Sequence, residues 1–288
     1  MTDTQYLAPA TLDEAVGAYA AADGAARILA GGTDLLVQMQ SGFVKPGLIV
    51  DVKRIPELTA IEETGDGGFV IGAAVSGATL EKSTNFGRSW PGALEGLNLI
   101  GSTQIQGRAS FGGNLCNGSP AADSVPALVA GDVKVTVQGP DGRRELAVAD
   151  VPAGPGKTNL KPGEIAVSFH FPPRPPHSSD AYLRMIPRTE MDIAVVGCGV
   201  NLTMDGDTCT AARVALGAVA PTVVHVPDAD AALVGSTLDD DALEAAAEAC
   251  RAACNPIDDK RGTIAYRTSV AGTLLKRTAA IAAERAKA

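Results

Sequence analysis

The sequence predicts an α+β chain in which a larger region is followed by a smaller α+β domain. Hairpin-type strand pairs flanked by helical patterns fill the first part. The run Pro172-Pro173-Arg174-Pro175-Pro176-His177 then interrupts the pattern, and further strands followed by two alanine-rich helical stretches lie beyond it. A chain of 288 residues can bury a substantial core as one large or two moderate domains.

Thr11-Leu12-Asp13-Glu14 reads as a capping box, and Ala15, Val16, Tyr19 and Ala22 continue an apolar helix face to the stop at Gly24. A strand over 27–30 runs into Gly31-Gly32, a short helix over 34–40 opens at that turn, and a strand over 48–52 follows Gly42. From Ile61 the apolar alternation turns at Gly65-Asp66-Gly67-Gly68 and returns from Phe69 to Gly72. Helical patterns occupy 79–85 and 91–100. A second hairpin joins 133–137 to 144–148 around Gly139-Pro140-Asp141-Gly142, and 164–171 alternates as a half-buried strand. Consecutive prolines cannot continue a ladder and hold the chain extended, so 172–176 is the expected linker. Beyond it, strands over 181–186, 193–204 and 208–219 and helices over 240–253 and 263–286 predict a three-stranded sheet with a helical layer.

Hydrophobic residues at 45% and charged residues at 20% describe an ordinary globular protein. Aromatic residues are 4% and the net charge is −9, so both the stacking platforms and the basic footprint required by nucleic acid are missing. No run approaches the roughly 18 apolar residues of a membrane span. Met1-Thr2-Asp3-Thr4-Gln5 has neither the basic nor the apolar region of a secretory signal, so a cytoplasmic location is expected. Cys250 and Cys254 stand one helical turn apart, but no second pair completes a zinc or iron–sulfur set, and the cysteines read as reduced, buried thiols. His170, His177 and His225 have no metal-ligand spacing and no serine nucleophile beside them. No metal is expected in this chain.

Two glycine-rich loops carry the chemistry. Ala30-Gly31-Gly32-Thr33-Asp34-Leu35 combines permissive backbone with a hydroxyl donor, and Asp34 could cap the next helix or accept from a ribose or amide. Ala109-Ser110-Phe111-Gly112-Gly113-Asn114, running on to Ser119-Pro120-Ala121-Ala122-Asp123, packs small and polar residues so densely that a binding partner is expected for them. Loops exposing backbone N–H groups beside small hydroxyls could grip one diphosphate from both sides, which points to a nucleotide cofactor. Neither is a G-x-G-x-x-G fingerprint, Gly197-Cys198-Gly199 lies mid-strand, and no G-x-x-x-x-G-K-[ST] occurs, so Rossmann and P-loop readings are disfavoured.

In this order, together with Ser102-Thr103-Gln104-Ile105, Gly163-Glu164-Ile165, Tyr182-Leu183-Arg184 and Asp192-Ile193-Ala194, these segments resemble the FAD-binding medium subunit of molybdenum hydroxylases of the xanthine dehydrogenase and carbon monoxide dehydrogenase type. The resemblance covers essentially the whole chain. It implies a vanillyl-alcohol-oxidase-like FAD fold over 1–176, with subdomains near 1–55 and 56–176, and a C-terminal domain over 177–288 with a three-stranded antiparallel sheet.

Carried over position by position, the resemblance implies that Leu29, Ala30, Gly31, Gly32, Thr33, Asp34 and Leu35, with Ala109, Ser110, Gly113 and Asn114, hold the pyrophosphate and adjoining parts of FAD. Asn117, Ala122 and Asp123 match further cofactor contacts, with Asp123 as an acceptor for ribose or adenine donors. Ile100 and Gly101 match a segment lining the cofactor channel, and Ile165 and Ala166 match apolar cofactor-side positions. Arg184 stands where relatives often have a lysine near the flavin, which keeps the charge and changes the donor geometry. Ile105-Gln106-Gly107-Arg108 replaces the usual Ile-Arg-Asn, and Thr33-Asp34 replaces the His-Ser of carbon monoxide dehydrogenase relatives.

The implied function is an FAD-carrying electron-transfer subunit. It would accept electrons from [2Fe–2S] clusters on a small partner, while a large partner holds molybdopterin, in an assembly expected to be a dimer of heterotrimers. This chain lacks the cysteine sets for such clusters. Electron transfer through a flavin needs no side chain as acid, base or nucleophile, so no catalytic residue is assigned. The alternatives are a self-sufficient flavin oxidase or dehydrogenase of the same fold and a non-catalytic interaction subunit. The external acceptor stays open.

Overall fold

The computed structural model describes residues 4–287. A three-stranded parallel sheet opens the chain, with Leu48–Asp51 central between Gln5–Leu7 and Ala26–Leu29. Helix Leu12–Ala21 packs on it through Leu12, Ala15 and Val16, in a core shared with Val50, Ile55 and Leu58. The expected capping box forms on one side only. Thr11 Oγ1 accepts from Glu14 N at 3.3 Å, but the Glu14 carboxylate takes the N–H of Ala10 at 3.2 Å, one residue before the cap.

Both expected hairpins form, Ile61–Glu63 with Phe69–Gly72 and Lys134–Gly139 with Gly142–Ala147. Strand Ile165–Phe171 lies antiparallel between them and closes a five-stranded sheet. Its core is aromatic, with Phe86 edge-on to Phe69 and Phe171 at 5.4 and 5.0 Å between ring centroids. The helix expected over 79–85 is instead two short ones, Gly77–Leu80 and Thr84–Ser89, and the next runs Pro91–Asn98. Helix Ser124–Ala130 has no counterpart in the sequence reading: all its residues are buried, so it has no polar face to give it a period.

In the C-terminal region, Ser178–Met185, Val196–Asp205 and Thr208–Gly217 form the long antiparallel strands. The sheet has four strands, not three, because Val224–His225 pairs with Ala215 and Leu216. Two residues are too few to show alternation. Helices Asp240–Ala252 and Ile264–Lys287 cover this sheet and share its core. Among the described residues no helix is long and apolar enough to cross a membrane.

The proline run is anchored rather than loose. The Arg174 guanidinium lies 3.8 Å from the Trp90 ring centroid and donates to Asp180 Oδ1 at 2.7 Å and Asn201 Oδ1 at 2.8 Å. Asp180 Oδ2 accepts from Ala93 N at 2.9 Å, so one carboxylate ties the linker and the C-terminal sheet to helix Pro91–Asn98. A Cβ on Gly199 would lie 2.6 Å from the Pro126 carbonyl oxygen, so strand Val196–Asp205 meets helix Ser124–Ala130 at backbone distance.

Candidate cofactor site

The two glycine loops meet. A Cβ on Gly31 would lie 2.1 Å from the Arg108 carbonyl oxygen, a contact that only glycine permits. Arg108 Nε donates to Gly31 O at 2.8 Å, and Gln38 Nε2 donates to Asn117 Oδ1 at 3.3 Å. The displaced basic residue before the second loop therefore pins the first. Gly32 has φ +78°, which lets the chain leave strand Ala26–Leu29 and turn at once into helix Leu35–Gln40. Within the described chain the N–H groups of Gly31, Gly32, Thr33, Asp34 and Leu35 find no acceptor. Asp34 makes no capping hydrogen bond, which removes the helix-cap role considered for it.

The second loop is anchored at Phe111, whose buried ring lies 5.7 Å from Phe169 and 5.8 Å from Phe171. The glycines beside it differ in purpose. A Cβ on Gly112 would lie 2.5 Å from the Ala73 carbonyl oxygen, whereas one on Gly113 would meet only Ser110 Oγ at 3.4 Å and otherwise open space. Gly112 serves packing, and Gly113 keeps the outer face of helix Phe111–Cys116 clear. Ser110 caps that helix by accepting from Gly113 N at 3.2 Å. Asn114 Oδ1 accepts from Ser124 Oγ at 2.7 Å and Ser124 N at 3.1 Å, which fixes the chain that carries Ala122 and Asp123.

Asp123 is buried at 7% exposure. Expected as an acceptor for ribose or adenine, it has both oxygens engaged by protein: Oδ1 accepts from Tyr182 Oη at 3.1 Å and Oδ2 from Arg184 Nη1 at 2.7 Å. Burial pushes its carboxyl up to about 6, against the opposing pull of Arg184 and Tyr182. Arg184 thus joins the second loop across the domain seam, and its buried Nε has no partner. Leu29 is buried at the end of its strand. Gly101, at φ +64°, accepts from Met191 N at 3.4 Å, so the turn after strand Ser178–Met185 leans on the Ile100–Gly101 segment. Ile165 and Ala166 sit in hydrophobic cores, Ile165 with Leu12 and Val50 and Ala166 with the phenylalanines, and no side-chain polar contact joins them to either loop.

Sequence reasoning missed Gln38 and Tyr182 and left Arg108 without a contact. Its one available signal was the pair of glycines inside a strand pattern at 197 and 199, which marks close approach. A Cβ on Gly197 would lie 2.5 Å from Tyr182 Oη, so that glycine makes room for the hydroxyl that reaches Asp123. Among the described residues no group of three or more His, Cys, Asp or Glu is placed to hold a metal.

The donor set suits a dinucleotide diphosphate. Unpaired consecutive N–H groups from Gly31 to Leu35 and the hydroxyl of Thr33 offer what phosphate acceptors need. Loops of this kind in an α+β frame define a protein that binds a nucleotide diphosphate through backbone donors. Residues 2–174 match the family described as FAD binding domain in molybdopterin dehydrogenase, and residues 181–282 match the CO dehydrogenase flavoprotein C-terminal domain. The chain belongs to this family of molybdopterin dehydrogenase FAD-binding subunits, and FAD is its cofactor.

It is 32% identical to the xanthine dehydrogenase FAD-binding subunit of Escherichia coli O157:H7, over 94% of this chain and 93% of that one. It is 33% identical to the carbon monoxide dehydrogenase medium chain of Hydrogenophaga pseudoflava, over 95% and 94%. In structure it is similar to a chain of the reconstituted CO dehydrogenase from Oligotropha carboxidovorans, with TM-score 0.94, 32% identity and coverage of 98% of each chain. It also resembles a chain of quinoline 2-oxidoreductase from Pseudomonas putida 86, with TM-score 0.90, 28% identity and coverage of 99% of this chain and 98% of that one.

Proposed function

We propose that this chain is the electron-transfer subunit of a multi-subunit molybdenum hydroxylase, accepting electrons from [2Fe–2S] clusters of a partner and passing them to an external acceptor. The observation that carries the reading is the run of unpaired N–H groups from Gly31 to Leu35, clasped against the second loop through Arg108. FAD, when bound, supplies a carrier that exchanges electrons with both one- and two-electron partners. Leu29 to Leu35, Ala109, Ser110, Gly113 and Asn114 hold its pyrophosphate side, and Asn117, Ala122, Asp123, Ile100, Gly101, Ile165, Ala166 and Arg184 complete the surroundings. The protein's part is to bind, orient and shield, with no side chain moving a proton.

The molybdopterin and iron–sulfur centres belong to a large and a small partner, assembled as a dimer of heterotrimers in the cytoplasm. The free state of all the cysteines supports a reducing compartment. The division into 1–176, with subdomains near 1–55 and 56–176, and 177–288 is proposed on three hydrophobic clusters centred in these segments, the first of which also takes in Leu58, Ala74, Ile165 and Val167 and the second Ala215. Purification of the tagged chain from its native host, with flavin, molybdenum and iron determined on the complex, tests the reading. FAD on this chain with molybdenum and iron on co-purified partners is expected. Turnover of an organic substrate by the isolated chain, or a complex without molybdenum, overturns it.

A further inference from the structure

The turn between strand Ala26–Leu29 and helix Leu35–Gln40 is tied at both ends by backbone. Leu29 O accepts from Val52 N at 3.1 Å, and Gly32 O accepts from Leu36 N at 3.0 Å. Between them the Gly31 carbonyl depends on a side chain. Among the described residues its one donor is Arg108 Nε, at 2.8 Å, and the exposed arginine makes no other side-chain hydrogen bond there.

The Gly31–Gly32 peptide is trans, so its carbonyl and its N–H point in opposite directions. With Gly31 O drawn to the guanidinium, Gly32 N–H is turned away from Arg108, and it finds no acceptor within the described chain. Glycine on both sides leaves this peptide free to flip, because ψ of the first residue and φ of the second can each change by roughly 180° without a Cβ in the way. Gly32 is at φ +78°, and the flipped peptide would return it to the negative φ that other residues prefer. The flip would also replace the N–H with a carbonyl oxygen, which repels an anion.

We propose that Arg108 is a positioning residue for the cofactor: its guanidinium locks the Gly31–Gly32 peptide with the N–H directed to the diphosphate of the flavin nucleotide and the carbonyl turned away from it. The inference rests on the FAD-binding reading above. A bond from a charged donor is stronger than one between neutral groups, and drawing on the carbonyl polarises the N–H of the same peptide. Arg108 acts through the backbone and needs no phosphate contact of its own. Its main chain contributes as well, since the Arg108 carbonyl oxygen lies 2.1 Å from where a Cβ on Gly31 would be and so keeps that side of the peptide a glycine.

The test is a double-mutant cycle on the full chain, with the FAD dissociation constant read by flavin fluorescence. Arg108→Met keeps an apolar stem and removes the donor. Gly32→Ala favours negative φ and with it the flipped peptide; the nearest neighbours of its Cβ are side-chain carbons of Leu29 and Leu36, the closest at 2.7 Å. Each variant is expected to weaken FAD binding about tenfold or more, and the double variant no further than the weaker-binding single variant, because both act on one peptide. Gly32→Asn is expected to bind FAD better than Gly32→Ala, since asparagine tolerates positive φ although it is bulkier. Multiplicative losses in the double variant overturn the proposal, because a direct phosphate contact or a general loosening of the loop acts independently of φ at residue 32. The reverse order of the two Gly32 variants overturns it too, as the mark of a steric effect. Should the Gly32 variants not fold, wild-type affinity in Arg108→Met, at an exposed position, overturns it alone. A wild-type chain that binds no FAD would instead sink the FAD-binding reading itself.

Discussion

The first glycine loop and the domain seam differ in which groups find hydrogen-bond partners within the chain. Along 31–35 the backbone donors are unpaired and the loop is steadied from outside by Arg108. Across the seam, Asp180 alone accepts from Arg174 and Ala93, Glu95 accepts from Tyr182 N and Arg285, and Arg213 Nε donates to Val129 O at 2.8 Å. The difference separates roles: the seam's carboxylates are spent on partners within the chain and fix how the domains meet, while the Arg174 and Arg184 Nε atoms stay unpaired there, and the loop is a row of backbone donors awaiting an anion.

That contrast can be broken at several points. The largest effect is expected from Gly31→Val, because a side chain driven onto the Arg108 carbonyl separates the loops. FAD retention after gel filtration, read from the flavin-to-protein absorbance ratio, should vanish, and retained flavin would mean that the loops grip nothing jointly.

Asp180→Ala probes the seam. It leaves the buried Arg174 guanidinium unpaired and should cost about 3–5 kcal/mol in urea unfolding. A loss below about 1 kcal/mol, the range of a surface pair, would show the seam to be solvated.

Asp123 belongs to the seam, where it pairs with Arg184 of strand Ser178–Met185, and gives a pH signature. Its folded-state proton affinity is raised, so its stabilising contribution is fully present below the unfolded carboxylate range and is lost as pH rises through about 6. The difference in unfolding free energy between wild type and Asp123→Asn should therefore shift with pH by on the order of 3 kcal/mol at most between about pH 4 and 7. A pH-independent difference would place the carboxylate in solvent.

The smallest and most selective pair is Gly113→Val against Gly142→Ala. The first should fold and lose FAD, since its side chain occupies open space on the loop's outer face. The second, at φ +106° in a distant hairpin, should lose about 1 kcal/mol of stability and keep its FAD. Equal FAD content in both would reject the loop assignment.

Both hairpins, the strand-to-helix turn at Gly31-Gly32 and the two closing helices were legible because their signals are local: turn residues at fixed offsets and apolar periods over whole elements. Helix Ser124–Ala130 and the strands Gln5–Leu7 and Val224–His225 were not, since a fully buried helix has no polar phase and two or three residues have no measurable period. The site divides in the same way. The loops stood out by composition, but the Arg108–Gly31 bond spans 77 residues and the Arg184–Asp123 bond spans 61. No local pattern encodes such pairings.

What the amino-acid order determined by itself was where the backbone could turn sharply and expose its donors, because glycine, serine and asparagine act within a few residues of themselves. What only the tertiary structure decided was which of those donors remain free and which charges are already paired. Asp123 carries a carboxylate in any reading of the chain. Its pairing with Arg184 follows from a strand folded back across the seam, since hydrogen bonding and burial depend on distance in space and not along the chain.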